Sequence, residues 1–264
     1  MTAFRSLLFL ICTILLSLTS SAPAADTKRP NILFIFADDQ AYNTIAELGN
    51  DEIETPNLDR LVRQGTTFTH AYNQGGWHGA VCVASRCMLN TGRFLWHAQN
   101  IDRQTEQERA AGRFWSEYLK GAGYKTYFSG KWHVEADARK AFDVVGNVRP
   151  GMPNQTHIGY HRPVPGQGAP WKPWDKKLGG YWKGGKHWSE VLADNAVAHL
   201  EETADDETPL FMYIAFNAPH DPFHDPPAEL APVGGYSTIG AGESTDSHNY
   251  RKMLEALDTE IGRL

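Results

Sequence analysis

Two nearly unbroken apolar runs predict the buried strands of a parallel sheet. Residues 31–37 and 209–216 each combine β-branched, aromatic and aliphatic side chains with hardly a polar position between them. A strand covered by helices on both faces has this continuous pattern, whereas a half-exposed strand alternates apolar and polar positions. Shorter β-prone stretches over 66–72 and 124–128 predict two further strands.

Helical periodicity separates these strands. Thr55 and Pro56 suit the N-cap and first turn of a helix whose apolar stripe ends at Gly65. Further helices are predicted from Cys82 to Gly92 and over 114–121, 188–200 and 250–264. Strands that alternate with helices indicate an α/β fold with a mostly parallel or mixed central sheet flanked by helices.

The periodicity fails between about 135 and 186, where Gly and Pro are frequent. A long irregular segment inside a domain is usually a functional loop or a disordered one. Its aromatic side chains could stack on a sugar ring or pack beneath the loop itself. They are Tyr160, Trp171, Trp174, Tyr181 and Trp182.

Composition narrows the classes of partner. The 264 residues are 41% hydrophobic and 21% charged, which is ordinary for one large globular domain. The formal net charge of -6 argues against a nucleic-acid binder. It also gives no long-range attraction for a sulfated or phosphorylated substrate, so any anion recognition must be local.

Residues 1–24 have the pattern of a signal peptide. Arg5 precedes an apolar run from Leu7 to Leu18, and small residues follow at 22–24. The run is short for a membrane span, so we expect export to the periplasm or the medium and no stable membrane partner, with an uncleaved anchor as the alternative. Cleavage would leave Cys82 and Cys87, which allow at most one disulfide bridge.

Four polar clusters follow predicted strands or the loop leading from one. The carboxyl ends of parallel strands meet at one edge of a sheet, so we expect the clusters to converge. They contain two carboxylates that suit a cation, a cysteine near a helix N-terminus, two cations and two histidines. Such a set fits metal-assisted displacement at a charged sulfur or phosphorus ester. Its members are Asp38, Asp39, Cys82, Arg86, Lys131, His133 and His220.

Each cluster has a plainer interpretation when it is taken alone. Asp38 and Asp39 could cap a helix from a solvated turn, and Cys82 could be a structural thiol or be bridged to Cys87. A Lys and a His on a surface loop are usually only solvated.

The clusters together resemble the type I sulfatases of the alkaline-phosphatase-like superfamily. Cys82-Val-Ala-Ser-Arg86, followed by Thr91-Gly-Arg93, resembles the signature in which the cysteine is converted to formylglycine. The segment 30–39 resembles the family's opening strand, and 130–133 and 218–222 resemble later blocks in the same order. The resemblance extends along the chain from Pro30.

The resemblance implies roles for the candidate residues. Asp38, Asp39 and the modified Cys82 would bind a divalent cation, most often Ca2+ in this family. The hydrate of 3-oxoalanine (formylglycine) at position 82 would attack sulfur. Arg86 would hold the hydrate, Lys131 would contact it and the sulfate, and His133 would assist its return to the aldehyde. His220 would bind the sulfate or protonate the departing alcohol.

The implied partners are a sulfated small molecule or polysaccharide and a formylglycine-generating or anaerobic sulfatase-maturating enzyme. No nucleic acid is expected. Two alternatives remain open: a phosphodiester or phosphonate monoester hydrolase of the same superfamily, and a non-catalytic exported carbohydrate-binding relic.

The sequence departs from the family pattern in two places. Ala84 stands where the family most often has Pro, and the chain ends at Leu264, before the Asp-Asn pair and the Lys of the family's next block. We therefore expect residues 25–264 to be the N-terminal portion of a sulfatase catalytic domain, truncated before the C-terminal part. We also expect little activity from the isolated chain.

Overall fold

The computed structural model describes residues 28–151, 182–183 and 185–264, with the backbone alone at Trp182. The predicted signal peptide lies outside the described residues, and so do Tyr160, Trp171, Trp174 and Tyr181. Within the described ranges, no helix has both the length and the apolar character that a membrane crossing requires.

The strands confirm the α/β class. Four of them form a parallel sheet in the order β1-β6-β2-β3, and the other two form a short antiparallel pair. Their bounds are β1 (Ile32–Asp38), β2 (Lys125–Lys131), β3 (Val144–Arg149), β4 (Trp182–Lys183), β5 (Lys186–His187) and β6 (Leu210–Pro219).

Helices connect and cover the strands. Three short 3-10 turns also occur, at Ala46–Leu48, Asp102–Gln104 and Ala228–Leu230. The bounds of the helices are α1 (Pro56–Gln64), α2 (Val81–Thr91), α3 (Leu95–Ile101), α4 (Thr105–Ala110), α5 (Trp115–Gly121), α6 (Ala138–Ala141), α7 (Trp188–Glu202) and α8 (Thr245–Ile261).

Strand β6 is the centre of the sheet, and all ten of its residues are buried. Because side chains alternate along a strand, Met212 and Ile214 pack in one core cluster with residues of α7 and α8. Phe211 and Tyr213 pack on the other face, in a cluster of aromatic side chains. The prediction of a strand buried on both faces is confirmed for this run.

Strand β1 is less buried than the sequence predicts. It pairs only with β6 among the described strands, and Leu33 is 43% exposed. The continuous apolar run therefore identified the strand correctly but overstated the covering of its faces.

Other elements differ from the prediction. Residues 66–72 are irregular and exposed rather than a strand, because β-prone side chains without a neighbouring strand to pair with do not form one. Conversely, β3 lies inside the segment of failed periodicity, and Gly146 and Asn147 interrupt its apolar pattern. Helices α3 and α4 were not predicted either.

The start of α1 is capped from a distance. Thr55 is the N-cap residue and Pro56 opens the first turn, as predicted, but the Thr55 side chain makes no capping hydrogen bond. Instead the carboxylate of Asp258, in α8, accepts hydrogen bonds from the backbone N–H groups of Asn57 (3.1 Å) and Leu58 (2.7 Å). Because Asp258 lies about 200 positions away in the sequence, the local sequence could not indicate this cap.

A glycine allows β2 and β6 to approach each other just before Lys131. Gly130 has φ +116°, and a Cβ built on it would lie 1.9 Å from the carbonyl oxygen of Ala215. Only glycine fits this position without displacing the central strand.

We expect Gly130→Ala to lower the free energy of unfolding by at least about 3 kcal/mol, because strain and a backbone clash add together. Gly112→Ala is the matched control: it has φ +74° but nothing within 4 Å of its Cβ position. Its cost is expected to be about 1 kcal/mol. Urea denaturation of both variants measures the difference, and equal losses would contradict the role of the close approach.

Candidate active site

The carboxyl edge of the sheet brings the predicted site residues together. Strand β1 ends at Asp38, β2 ends at Lys131 and β6 ends at Pro219, and the strands are parallel. Helix α2 begins beside them at Val81. Contacts at this edge place the seven candidates in three groups: Asp38 with Arg86 and Lys131, Cys82 with His133, and Asp39 with His220.

Two cations share one buried carboxylate. Lys131 Nζ is ion-paired with Asp38 Oδ2, and Arg86 Nη2 lies 3.7 Å from Asp38 Oδ1. Arg86 Nη1 donates a 2.6 Å hydrogen bond to the carbonyl oxygen of Lys131. The three side chains are at most 6% exposed. The cluster therefore has an excess of positive charge, which a bound anion would compensate.

Arg86 also keeps unused donors. Its Nε and Nη2 atoms are buried and have no hydrogen-bond partner among the described residues. Buried donors of a charged group are costly to leave unpaired, so an oxyanion or ordered water at this position would be stabilised.

Aromatic and amide groups fix Arg86 in place. Its guanidinium lies 5.0 Å from the ring centroid of Phe36. Asn90 Nδ2 donates to the carbonyl oxygen of Arg86 (2.8 Å), and Trp115 Nε1 donates to Asn90 Oδ1 (3.1 Å). These supporting residues were not identified from the sequence. The only local signal was that Asn90 lies four residues after Arg86, one helical turn away.

Cys82 is the second residue of α2, and its Sγ lies 3.3 Å from Nδ1 of His133. Cys87 is buried instead, with Sγ 3.7 Å from the carbonyl oxygen of Ala98, and burial raises its pKa to about 12. Both cysteines are free thiols in the described part of the chain, so the alternative of a bridge between them is not observed.

His133 is an uncharged ring in a cationic environment. Burial, together with the nearby charges of Lys131 and Arg86, lowers its pKa to about 4. The neutral imidazole can accept a proton or a hydrogen bond from the group at position 82. Its backbone has φ +53°, which is uncommon outside glycine and turns the ring back towards α2.

Asp39 and His220 form the more open side of the site. His220 Nε2 lies 3.4 Å from Asp39 Oδ2, and the Asp39 side chain is 63% exposed. His220 Nδ1 donates a 2.7 Å hydrogen bond to the carbonyl oxygen of Asp221 and lies 3.1 Å from its Oδ1. Asp221 orients the ring, a role that the sequence signalled only by its position next to His220.

Tyr250 fixes the backbone that follows β1. Its hydroxyl donates to the carbonyl oxygen of Asp39 (3.1 Å) and accepts from the N–H of Ala41 (2.8 Å). Asp39 itself has φ +63°. Nothing in the local sequence of the last helix indicated this long-range contact.

A cavity of about 640 Å³ opens at this edge. Asp38, Asp39, Cys82 and Arg86 line it, together with Ser85 and Asn73. The volume is within the range of small-molecule sites, so it can hold an anionic ester group and part of the molecule attached to it.

The residues fit a divalent cation in part. Asp38 and Asp39 offer carboxylate oxygens, the ligand type that Ca2+ prefers, but Ca2+ takes about six to eight oxygens. The described residues include no group of three or more His, Cys, Asp or Glu side chains placed to hold a metal ion. The two aspartates can therefore be members of an oxygen shell but do not complete one.

The chain is similar in sequence to known sulfatases. The family model described as Sulfatase matches residues 30–264. Mouse Arylsulfatase J is 29% identical over 260 residues, which cover 91% of this chain and 40% of the mouse protein. N-acetylgalactosamine-6-O-sulfatase of Bacteroides thetaiotaomicron is 32% identical over 139 residues, covering 51% of this chain and 26% of that protein.

A solved structure extends the likeness to the fold. Ps i-CgsB, in complex with k-i-k-neocarrahexaose, has a TM-score of 0.62 and 26% identity, covering 89% of this chain and 54% of that chain. The fold and the matched family define a sulfatase-type α/β protein. The chain belongs to the sulfatase family, and it spans less than half the length of the two curated relatives named above.

We expect Asp38→Asn to lower the free energy of unfolding by about 3–5 kcal/mol, because it leaves Lys131 and Arg86 buried without a counter-charge. Asp39→Asn removes the neighbouring carboxylate, which is mostly exposed, and should cost less than about 1 kcal/mol. Urea denaturation in the presence of a chelator compares the two. A loss for Asp38→Asn no larger than that for Asp39→Asn would contradict the buried charge cluster.

Proposed function

We propose that the protein is a sulfuric ester hydrolase that acts outside the cytoplasm on a sulfate ester of a carbohydrate. The observation that carries the proposal is the position of Cys82. Its side chain lines a cavity beside a buried cluster in which two cations share one carboxylate. A group that attacks an anionic ester and the groups that bind the anion are thereby adjacent.

Two additions to the chain would complete this chemistry. Conversion of Cys82 to 3-oxoalanine supplies a hydrated aldehyde as nucleophile, and a divalent cation such as Ca2+, held in part by Asp38 and Asp39, supplies positive charge beside it. A formylglycine-generating or anaerobic sulfatase-maturating enzyme would carry out the conversion.

The chain's own residues then bind the ester and move protons. Arg86 and Lys131 hold anionic oxygens, Arg86 through its unpaired buried donors. His220, on the open side of the site, is placed to protonate a leaving alcohol, and Asp221 orients its ring. His133, a neutral ring near Cys82, accepts a proton from the group at that position.

A carbohydrate substrate has support from two relatives. One is named for action on N-acetylgalactosamine sulfate, and the other was solved with a hexaose bound. Export has support from the charge and apolar pattern of residues 1–24.

We expect co-expression with a maturating enzyme to convert Cys82, and mass spectrometry of the peptide that contains it to detect an aldehyde or its hydrate. Cys87, five residues further on and buried, is the internal control and should remain a thiol. An unmodified Cys82 in a host that matures another sulfatase would contradict the proposed chemistry and favour a non-catalytic binding protein.

Activity is tested on the natural gene product that carries this sequence, with a panel of aryl sulfate, phosphate monoester and phosphodiester substrates. Cys82→Ala should abolish sulfate release, and Cys87→Ala should retain most of it. Much faster hydrolysis of the phosphodiester would replace the sulfatase proposal with a phosphodiesterase one.

A further inference from the structure

Besides His133 and His220, two further histidines lie close to the candidate site and have no part in the proposed chemistry. His187 and His224 are 0% and 1% exposed, and their Nε2 atoms are 3.0 Å apart. His187 precedes α7, and His224 follows the loop that carries His220 and Asp221 after β6. The pair therefore joins the start of α7 to the segment that contains His220, a candidate catalytic residue.

Hydrogen bonds to the backbone fix the direction of this pair. The N–H of Ser189 donates to His187 Nδ1 (3.4 Å), so that nitrogen is an acceptor and Nε2 carries the proton. His187 Nε2–H then donates to His224 Nε2. His224 Nδ1–H in turn donates to the carbonyl oxygen of Pro222 (3.0 Å). One pattern of tautomers satisfies all three contacts with both rings uncharged.

The surroundings keep both rings neutral. Burial lowers the pKa of His224 to about 4, and it lowers the pKa of His187 well below its ordinary value. Charged groups near the pair, among the residues that the structure describes, include Arg149 at the end of β3, which also lowers the pKa of His187, and Asp225, whose carboxylate is ion-paired with Lys252 of α8. Protonation of either ring would set two N–H groups against each other.

A parallel contact ties the same helix to the same strand. Trp188 Nε1 donates to Asn217 Oδ1 (2.8 Å), and the guanidinium of Arg149 lies 3.8 Å from the ring centroid of Trp188. The first turn of α7 is thus held against the ends of β3 and β6. The histidine pair adds a second attachment of α7, this time to the backbone of Pro222 in the loop after β6. Pro222 follows Asp221, whose carbonyl oxygen accepts the hydrogen bond from His220.

From these contacts we infer that His187 and His224 are positioning residues: their directed hydrogen bond fixes the loop after β6, so that His220 faces Asp39 in one orientation. Neither ring is among the residues that line the cavity beside Cys82. They act through the backbone of Pro222 and Asp221. The kinetic consequence rests on the proposed function, whereas the structural consequence does not.

Nuclear magnetic resonance of histidine labelled with 15N tests the structural consequence. The expected tautomers are Nε2–H for His187 and Nδ1–H for His224. In His224→Leu, the Nδ1 proton of His220 should exchange with solvent at least about tenfold faster, because its acceptor is no longer held. His199→Leu, a buried histidine at the other end of α7, is the matched control and should leave His220 unchanged.

His224→Gln keeps an acceptor for His187 Nε2–H, so the Nδ1 proton of His220 should exchange nearly as slowly as in the wild type. This variant also serves as the test if His224→Leu does not fold. The inference is overturned if the tautomers differ from those expected. It is also overturned if His220 exchanges at the wild-type rate in His224→Leu or as fast in His199→Leu.

Steady-state kinetics of the natural gene product that carries this sequence, with Cys82 converted by a maturating enzyme and an aryl sulfate as substrate, test the second consequence. We expect His224→Leu to reduce kcat about tenfold with less than about a twofold change in KM, because a misplaced proton donor affects the chemical step more than binding. If no variant and no wild type hydrolyses sulfate esters while the resonance result holds, the proposed function fails and the positioning role stands. A fall in kcat for His199→Leu equal to that for His224→Leu would overturn the specific role of the pair.

Discussion

The ion pair between Asp38 and Lys131 is the contact on which the arrangement of the site depends. It joins the end of β1 to the end of β2 past the strand between them, and Arg86 adds a third charge from α2. One carboxylate thereby contacts the ends of two strands and the middle of a helix. Because the cluster carries more positive than negative charge in a buried place, it is stable only in a structure that also provides an anion, water or hydrogen-bond acceptors. The carbonyl oxygen of Lys131 is one such acceptor.

Much of the fold could be predicted because its strands and helices follow from the local pattern of apolar and polar residues. The apolar run of β6 and the stripes of α1, α5, α7 and α8 indicated the correct elements, and the ends of the strands indicated which polar side chains would meet. The family resemblance added the proposed roles, which the geometry alone does not assign. Residues 66–72 show the limit of propensity: the side chains favour a strand, but none of the described strands pairs with this segment.

The parts that could not be predicted depend on contacts between distant residues. Asp258 caps α1, Tyr250 fixes the backbone after Asp39, and the His187–His224 pair holds the loop after β6. None of these side chains has a local signature, because the role of each one depends on a partner elsewhere in the chain. The same holds for Gly130, whose need for glycine arises from the carbonyl of Ala215.

The position of β6 has a consequence for the order of folding. It is the last of the four sheet strands along the chain, yet it lies between β1 and β2, and Leu210 N–H donates to Asn31 Oδ1 across 179 positions. Pairings so distant in sequence close slowly, and until β6 inserts, β1 and β2 both present unpaired edges. We therefore expect Asp38 and Lys131 to be aligned across the sheet only once β6 has paired with both strands. A chain that stalls before this step would expose apolar strand edges and be prone to aggregate, which makes expression yield sensitive to changes in β6 itself.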